Sequence, residues 1–403
     1  MNIRSITYFD NPQAPFQETV LERAEQFISR ARPAFESAGY EVQTARFATP
    51  PFPTFLDTVD EGHLIPYAQS LEAAFIQRGF DYIALGPALP SYPESYSPIP
   101  DVIRETENVF LSGSLTDPEK GVSLAAVRAC GAVIHALAPL DPNGFANLYF
   151  TALGNVPPGV PFFPAAYHQP GPPVFSLAIE GADLALEAFR GAEDLKEARG
   201  HLIHSLESHS ERLTAVAAGL ESDFKVDFQG LDFSLAPFPE EGRSLGKALE
   251  HLGIKALGNH GSLAAAAFLT DSIDRARFPH TGFSGLMLPV LEDNVLAARA
   301  GEGSLTVKDL LLYSAVCGTG LDTIPLPGDL TPEDISAVLL DIAALSLRLD
   351  KPLTARLMPI PGKKAGESTT FDFSYFANSR AMTLEAQELM NLMGGEGYLD
   401  IRP

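Results

Sequence analysis

The sequence predicts an α/β fold, and two observations lead to this class. Apolar runs of strand length alternate with amphipathic stretches of helical length along most of the 403 residues, as they do where strands pack beneath helices. No glycine- or serine-rich linker, block of like charge or fixed repeat divides the chain. We therefore expect residues 1–403 to form a single α/β domain.

The first half of the chain follows this alternation element by element. Glycine ends two of the helices, because Gly39 and Gly79 stand where a helix must stop before the next apolar run. The predicted elements are strand 3–9, helix 18–38, strand 40–48, helix 67–78, strand 82–85, helices 103–110 and 124–138, a long polar helix 182–220 and strand 224–228.

Residues 157–173 interrupt the pattern with seven prolines around Phe162, Phe163 and Tyr167. Such a segment cannot be a central strand or the interior of a helix. Its aromatic side chains need cover from the core of the same chain or from another subunit. We expect a homo-oligomer on this ground.

Composition excludes several partners. The 28 Lys+Arg stand against 51 Asp+Glu, which gives a net charge of −23, and the longest basic run is Lys363-Lys364. We therefore expect neither nucleic acid nor an anionic membrane as a partner. The two cysteines exclude a disulfide framework, and residues 1–10 lack the apolar core of a signal peptide. A cytoplasmic protein is predicted.

The second half of the chain carries five Gly/Pro/Asp/Ser clusters after short apolar runs. They are residues 231–237, 258–262, 282–293, 316–322 with 327–329, and 357–364. In a barrel or open parallel sheet, turns at strand ends gather on one face, where ligands bind. We expect the five clusters to share one pocket, which would bind a small molecule.

Acidic residues in these clusters are candidates for chemistry. Glu292, Asp293 and Asp322 could bind a divalent metal ion, and Asp293 and Asp322 could act as acid or base. The alternative for Asp293 is an N-cap of the helix that follows it. Asp232 and Ser234 are candidate substrate-binding residues.

Glycine turns supply the candidate anion site. Gly258, His260, Gly261 and Ser262 precede a helical stretch, whose N-terminal N–H groups favour an anion. The alternative is a tight surface turn. Lys363 could hold a carboxylate or phosphate, and Arg356 lies in the strand that leads to it.

Cys317 is the candidate nucleophile or acid/base partner. Gly318 and Gly320 follow it and allow a tight backbone around it, and both are candidates for substrate contact. The alternative is a buried packing role, which we also expect for Cys130.

Taken together, these motifs resemble the family of domain of unknown function 711. The resemblance covers nearly the whole chain and rests on Ile3-Arg-Ser-Ile6, Gly39-Tyr-Glu-Val-Gln43, Gly86-Pro87, Asn147-Leu-Tyr-Phe150, Phe162-Phe-Pro-Ala-Ala-Tyr-His168, Asp232-Phe-Ser-Leu-Ala-Pro237, Gly282-Phe-Ser-Gly285 through Glu292-Asp293, Val316-Cys-Gly-Thr-Gly-Leu-Asp322 and Pro327-Gly-Asp329. It implies one α/β barrel of about ten strands around an inner loop, similar to the pyruvate formate-lyase-like glycyl radical enzymes.

Radical chemistry itself is not expected. Those enzymes carry an Arg-Val-x-Gly-Tyr-like segment, whereas Gly397-Tyr398 here has no Arg-Val before it. The leading hypothesis is a cytosolic enzyme of unknown reaction class that acts on a small anionic metabolite. The alternative is a protein that binds such a molecule in the same pocket without turnover.

Overall fold

The structure is a computed structural model that describes residues 1–316 and 318–403. Within these ranges the strands are β1 (Asn2–Phe9), β2 (Val42–Ala48), β3 (Tyr82–Ala88), β4 (Val109–Ser114), β5 (Thr116–Asp117), β6 (Gly121–Ser123), β7 (Phe150–Gly154), β8 (Val174–Glu180), β9 (Asp227–Ala236), β10 (Gly320–Pro327), β11 (Leu353–Ile360) and β12 (Tyr398–Leu399). The α-helices are α1 (Glu18–Ser37), α2 (Glu61–Ile76), α3 (Ile99–Arg104), α4 (Leu124–Leu137), α5 (Ala182–Arg190), α6 (Leu195–Phe224), α7 (Leu245–His251), α8 (Ser262–Arg275), α9 (Asn294–Glu302), α10 (Val307–Ser314) and α11 (Pro332–Arg348).

Local sequence explains the best-predicted elements. In α1 the buried side chains recur every three or four residues, as at Ala24, Phe27, Ile28 and Ala31, so one face of the helix packs on the sheet. Helix α11 begins with a capping box, in which Thr331 and Asp334 satisfy each other's backbone N–H groups. Helix α1 begins at the predicted residue and ends one residue before the predicted bound.

Nine strands form the main sheet in the order β10-β11-β7-β4-β3-β2-β1-β8-β9. The five central strands β7, β4, β3, β2 and β1 are parallel to one another. At one side β8 runs antiparallel to β1, with β9 parallel to β8. At the other side β11 runs antiparallel to β7, with β10 parallel to β11. The fold is therefore mixed α/β with a mainly parallel sheet.

The two faces of this sheet are covered differently. On the outer face, Tyr8 contacts Phe27 of α1 and Phe47 stacks on Phe75 of α2. The opposite face, which we call the inner face, carries Phe9, Ala48, Ala84 and Phe110, which pack against Phe163 and Ala166. On the inner face, an irregular segment therefore takes the place that helices occupy in most α/β folds.

That irregular segment is the proline-rich stretch of the sequence. Val156, Val160 and Phe162 pack with residues of β7 and β9, and Phe163 is 4% exposed. The core of the same chain therefore covers these aromatic side chains. Cover by a second subunit is not needed for them, so self-association loses this support and stays a prediction.

Several predicted elements differ from the structure, among them strand 224–228, whose first residue ends α6 and whose pairing begins only at Asp227 of β9. Residues predicted as helix 103–110 divide into the end of α3 and the start of β4, because Val109 and Phe110 pair with β3. The predicted helix 182–220 is two helices, since α5 ends at Arg190 with Gly191 as its C-cap and α6 begins at Leu195. Residues 231–237 belong largely to β9 rather than to a loop after a strand.

Continuous pairing does not close the nine-stranded sheet, so the predicted barrel is not shown. An isolated β-bridge lies at each edge of this sheet. Leu231 of β9 bridges to His280, and Asp322 of β10 bridges to Pro289. Strands β12, β6 and β5 form a separate small sheet. Among the described residues no helix has the length and apolar character needed to cross a membrane.

Candidate functional site

A cleft of about 910 Å³, its open mouth included, lies on the inner face of the sheet. Strands β1, β2, β3, β4, β8, β9 and β11 all contribute to its walls, and residues 373–375 of the C-terminal segment complete them. The lining residues are Arg4, Gln43, Thr44, Arg46, Tyr82, Phe110, Leu148, Phe162, Phe163, Ala178, Ile179, Asp232, Ser234, Ala236, Met287, Glu292, Arg356, Phe373 and Tyr375. Largely apolar walls with a few polar groups are typical of small-molecule sites.

Three arginines project into the cleft from β1, β2 and β11, and each lies over an aromatic ring. The guanidinium carbon is 4.7 Å from the ring centre for Arg4 over Tyr375. The same distance is 5.0 Å for Arg46 over Phe163 and 5.4 Å for Arg356 over Phe162. Rings in these positions attract the cations and fix the planes of the guanidinium groups.

Glu292 links two of the arginines. Its carboxylate accepts a hydrogen bond of 2.6 Å from Arg4 Nη2 and one of 3.0 Å from Arg356 Nη2. Arg356 Nε also donates to Asp322 Oδ1 at 2.6 Å. Burial by itself lowers the pKa of Arg356, but the carboxylates of Asp322 and Glu292 outweigh it and the pKa is raised. These residues form a buried network, which we call the Glu292 network.

A second carboxylate extends the network on the side of β8. Glu180 is 2% exposed and accepts hydrogen bonds from Arg4 Nη1 at 3.2 Å, Arg243 Nη1 at 2.8 Å and Gln43 Nε2 at 2.7 Å. Arg4 is thus held between Glu180 and Glu292. Its charge is matched within the protein.

Arg46 differs from the other two arginines. Its Nε donates to Thr44 Oγ1 at 2.9 Å, and its guanidinium lies over Phe163 and 5.9 Å from the centre of Tyr82. In the described part of the chain it forms no ion pair with a carboxylate. Burial, followed by the positive charge of Arg4, lowers the pKa of Arg46 to about 10. Arg46 therefore brings an unmatched positive charge to the cleft.

Asp232 and Ser234 are the predicted substrate-binding residues that do line the cleft. The Asp232 carboxylate accepts hydrogen bonds from Ser234 N, Ser234 Oγ, Phe283 N and Ser284 N. Burial raises the pKa of Asp232, although these donors oppose the shift. Gly282 is required beside it, because a Cβ there would lie 2.0 Å from Asp232 Oδ2. Asp232 thus fastens the 282–284 turn to β9.

Asp293 points away from its neighbour Glu292 and does not line the cleft. It caps α9 by accepting from Val295 N and Leu296 N, so the N-cap alternative is confirmed. The same carboxylate accepts from Ser244 Oγ at 2.7 Å and Gly246 N at 3.0 Å. Burial raises the pKa of Asp293, against these donors. Its bonds hold α7 to α9, which is a structural role.

The turn with Gly258, His260, Gly261 and Ser262 also lies away from the cleft lining. His260 is exposed. The Gly258 N–H donates to Ser262 Oγ at 3.0 Å, and Ser262 Oγ donates to the carbonyl of Asn259 at 2.7 Å. These bonds use polar groups that an anion would need. The geometry supports the alternative of a tight surface turn.

Three further predicted residues, Gly318, Gly320 and Lys363, do not line the cleft. Gly320 begins β10 with φ +92°, where a Cβ would lie 2.2 Å from the carbonyl oxygen of Thr354, and Gly318 packs against Gly285. Lys363 lies in the turn after β11, where its carbonyl accepts from Gly328 N. Cys317 lies outside the described residues. Cys130 is buried in α4, as predicted.

The predicted metal ligands do not converge. Glu292 and Asp322 are neutralised by arginines, while Asp293 faces two helix N-termini. Within residues 1–316 and 318–403 no group of three or more His, Cys, Asp or Glu is arranged to hold a metal ion. The second oxygen of Asp322, Oδ2, is buried without a hydrogen-bond partner among the same residues.

Sequence reasoning did not find Arg4 or Arg46. It placed Arg356 only in the strand that leads to Lys363. The available signal was an arginine inside an apolar run of strand length, as in Ala45-Arg46-Phe47 and Ala355-Arg356-Leu357. A charged residue on a strand buried on both faces needs a partner, a ligand or a cavity.

The fold and the cleft define a mixed α/β protein with an arginine-lined cleft on the inner face of its sheet. The chain belongs to the family described as Uncharacterised ACR (DUF711), which matches residues 1–378. The predicted resemblance to this family is thereby confirmed, whereas the pyruvate formate-lyase-like barrel is not.

Curated relatives agree with this assignment. The chain is 30% identical over 370 residues to a UPF0210 protein of Pyrobaculum arsenaticum, covering 85% of this chain and 80% of that protein. It is 31% identical over 353 residues to a UPF0210 protein of Acetivibrio thermocellus, covering 83% and 77%. A UPF0210 protein of Pyrobaculum islandicum is 29% identical over 396 residues, covering 91% and 87%. These names do not specify a reaction, so a function has to be argued from the cleft.

Proposed function

We propose that the protein binds a small organic anion in the cleft and that Arg46 holds the anionic group. The single observation behind this proposal is the positive charge of Arg46, which no carboxylate of the described residues matches. A partly buried cation without a counter-ion is unfavourable for folding, because burial removes water without replacing it. A ligand carboxylate or phosphate would supply the missing counter-charge.

The composition of the cleft also fits this proposal. Small-molecule sites combine apolar walls with a few polar groups. Here Phe110, Phe162 and Phe163 supply apolar surface, while Ser234 offers a hydroxyl near the carboxylate of Asp232. An organic anion would be desolvated between these walls and paired with Arg46.

Thermal shifts test the proposal. The wild-type protein, Arg46→Met and Arg30→Met are compared with a panel of small organic anions and their neutral amides. Arg30 is an exposed arginine of α1, so its substitution is the matched control. We expect anions, but not amides, to raise the Tm of the wild type and of Arg30→Met, and to leave Arg46→Met unchanged. Equal shifts in all three proteins would contradict the proposal.

Turnover of the bound anion is the leading hypothesis, with Cys317 as nucleophile or acid/base partner and Asp322 as an acid. A non-catalytic binder is the second candidate, and one observation favours it. The cleft carboxylates of Asp232 and Glu292 are already engaged by backbone N–H groups and by arginines. Cys317→Ser separates the two, because a binder keeps its affinity whereas a cysteine-dependent enzyme loses its rate.

We also propose that residues 1–403 act as one domain whose sheet edges approach each other as in a barrel. The bridges Leu231 to His280 and Pro289 to Asp322 support this closure, because one short segment joins both edges. A single cooperative urea transition by fluorescence and by circular dichroism is expected. Light scattering tests the separate prediction of a homo-oligomer.

A further inference from the structure

We infer that the ligand is a singly charged organic acid with a flat apolar body, of which an aryl carboxylate is the simplest example. The inference rests on the proposed function and names the class of anion. Three features of the cleft carry it: the number of unmatched cations, the edge that Arg46 presents, and the residues of the walls.

The charge balance favours one negative charge on the ligand. Arg4 is held by Glu180 and Glu292, and Arg356 is held by Glu292 and Asp322, so their charges are already matched. Arg46 is the one of these three arginines that forms no ion pair with a described carboxylate, and the carboxylate of Asp232, which also lines the cleft, is held by N–H and O–H donors instead. A phosphate monoester carries close to two negative charges at neutral pH. Its second charge would lie in a cleft that already contains the Glu292 carboxylate.

The orientation of Arg46 favours a planar carboxylate. Its Nε–H is used by Thr44, and the rings of Phe163 and Tyr82 lie against the guanidinium. The Nη1 and Nη2 groups form no hydrogen bond within the described residues. These two groups can donate in parallel to the two oxygens of one carboxylate, which is the preferred bidentate geometry of arginine.

The walls favour a flat apolar body next to that carboxylate. Six aromatic side chains line the cleft, namely Tyr82, Phe110, Phe162, Phe163, Phe373 and Tyr375. Aromatic rings pack on one another by offset stacking or edge-to-face contact. The described lining residues include no lysine, no histidine and no glycine, which are common elements of phosphate sites. An aryl group therefore fits these walls better than a phosphorylated sugar.

Isothermal titration calorimetry tests the inference on the full-length protein with four probes. They are benzoate, its neutral analogue benzamide, the non-planar cyclohexanecarboxylate and the dianion phenyl phosphate. We expect benzoate to bind tightest, and benzamide to bind at least about tenfold more weakly because the charge-assisted pair is lost. Arg46→Met should weaken benzoate by a similar factor, and Arg30→Met should leave it unchanged.

The outcomes separate the inference from the proposed function. If phenyl phosphate or cyclohexanecarboxylate binds tighter than benzoate and depends on Arg46, the ligand class is overturned and anion binding stands. If no probe depends on Arg46, or benzamide equals benzoate, anion binding at Arg46 fails as well. If Arg46→Met does not fold, Arg46→Lys replaces it as the test variant. It retains the charge but cannot make two parallel bonds, so weaker benzoate binding is expected and unchanged binding would contradict the geometry.

Discussion

The two sides of the cleft use the same kind of side chain in opposite ways. Toward β1 and β11, Arg4 and Arg356 are locked to Glu292, and every positive charge there has a protein counter-ion. Toward β2, Arg46 bonds a hydroxyl, lies against aromatic rings and forms no ion pair with any described carboxylate. The first arrangement holds the strands together, whereas the second leaves bonding capacity for a ligand. Whether an arginine serves the fold or the ligand is decided by its partners.

The largest effect is expected from breaking the Glu292 network. Arg356→Met leaves the buried carboxylates of Glu292 and Asp322 without this cation, so the free energy of unfolding should fall by about 3–5 kcal/mol. Urea denaturation measures the change. The double variant Glu292→Gln with Arg356→Met should recover part of it. A loss no larger than that of an exposed arginine would show that the network is not structural.

A buried histidine outside the cleft extends the comparison to pH. His168 is 2% exposed, its Nε2 has no hydrogen-bond partner among the described residues, and burial lowers its pKa while Asp10 opposes the shift. The unfolded chain then binds more protons than the folded one, so stability should fall as the pH drops below the ordinary histidine value of about 6.5.

His168→Gln should reduce this slope by no more than about 1.4 kcal/mol per pH unit, the limit for one proton. A smaller slope of the same sign should remain, because burial also lowers the pKa of His209. Urea denaturation between about pH 5 and pH 8 measures it. The control is His251→Gln, at an exposed position at the end of α7, which should keep the wild-type slope. An unchanged slope in His168→Gln would show that another group titrates.

Arg46→Met should change stability in the direction opposite to Arg356→Met. Removal of an unmatched cation from a partly buried site should leave the ligand-free protein as stable as the wild type or more stable by about 1 kcal/mol, while anion binding is lost. Urea denaturation without ligand checks the sign. A loss comparable to that of Arg356→Met would mean that Arg46 supports the fold.

The smallest effect is expected from an ion pair at the surface. Arg104 pairs with Asp101 on α3, where the arginine side chain is 50% exposed. Solvent and salt screen such pairs, so Arg104→Met should change the free energy of unfolding by about 0.5 kcal/mol or less. The same denaturation assay measures it, and a loss of several kcal/mol would remove the distinction between buried and exposed pairs.

Most elements of the fold could be predicted because their signal is local. The spacing of Ala24, Phe27 and Ala31 fixes a helix, and Gly39 fixes its end. The residues around Val109 were predicted as helix, because pairing with β3 is a tertiary interaction that periodicity does not reveal. The cover of Phe163 by the inner face was not foreseeable for the same reason.

The site was harder to predict than the fold. Glu292 and Asp293 are adjacent in sequence, yet one joins the arginines of the cleft and the other caps a helix. Their side chains diverge because a short turn ends between them. Arg46 and Arg356 look alike in sequence, and only their spatial neighbours distinguish them. Residue type alone therefore suggested acids and a glycine turn where the structure has an arginine cleft.

The order of strands also bears on how the chain reaches its native state. Strand β11 pairs with β7, so that Leu353 lies opposite Gly154 although about half of the chain separates them. Pairings between such distant segments require closure of a long loop before they contribute stability, and they slow folding. Until residues 353–360 are synthesised and dock, one side of β7 has no neighbour from β11. During that interval the exposed edge could pair with other chains, and chaperones would have most to protect there.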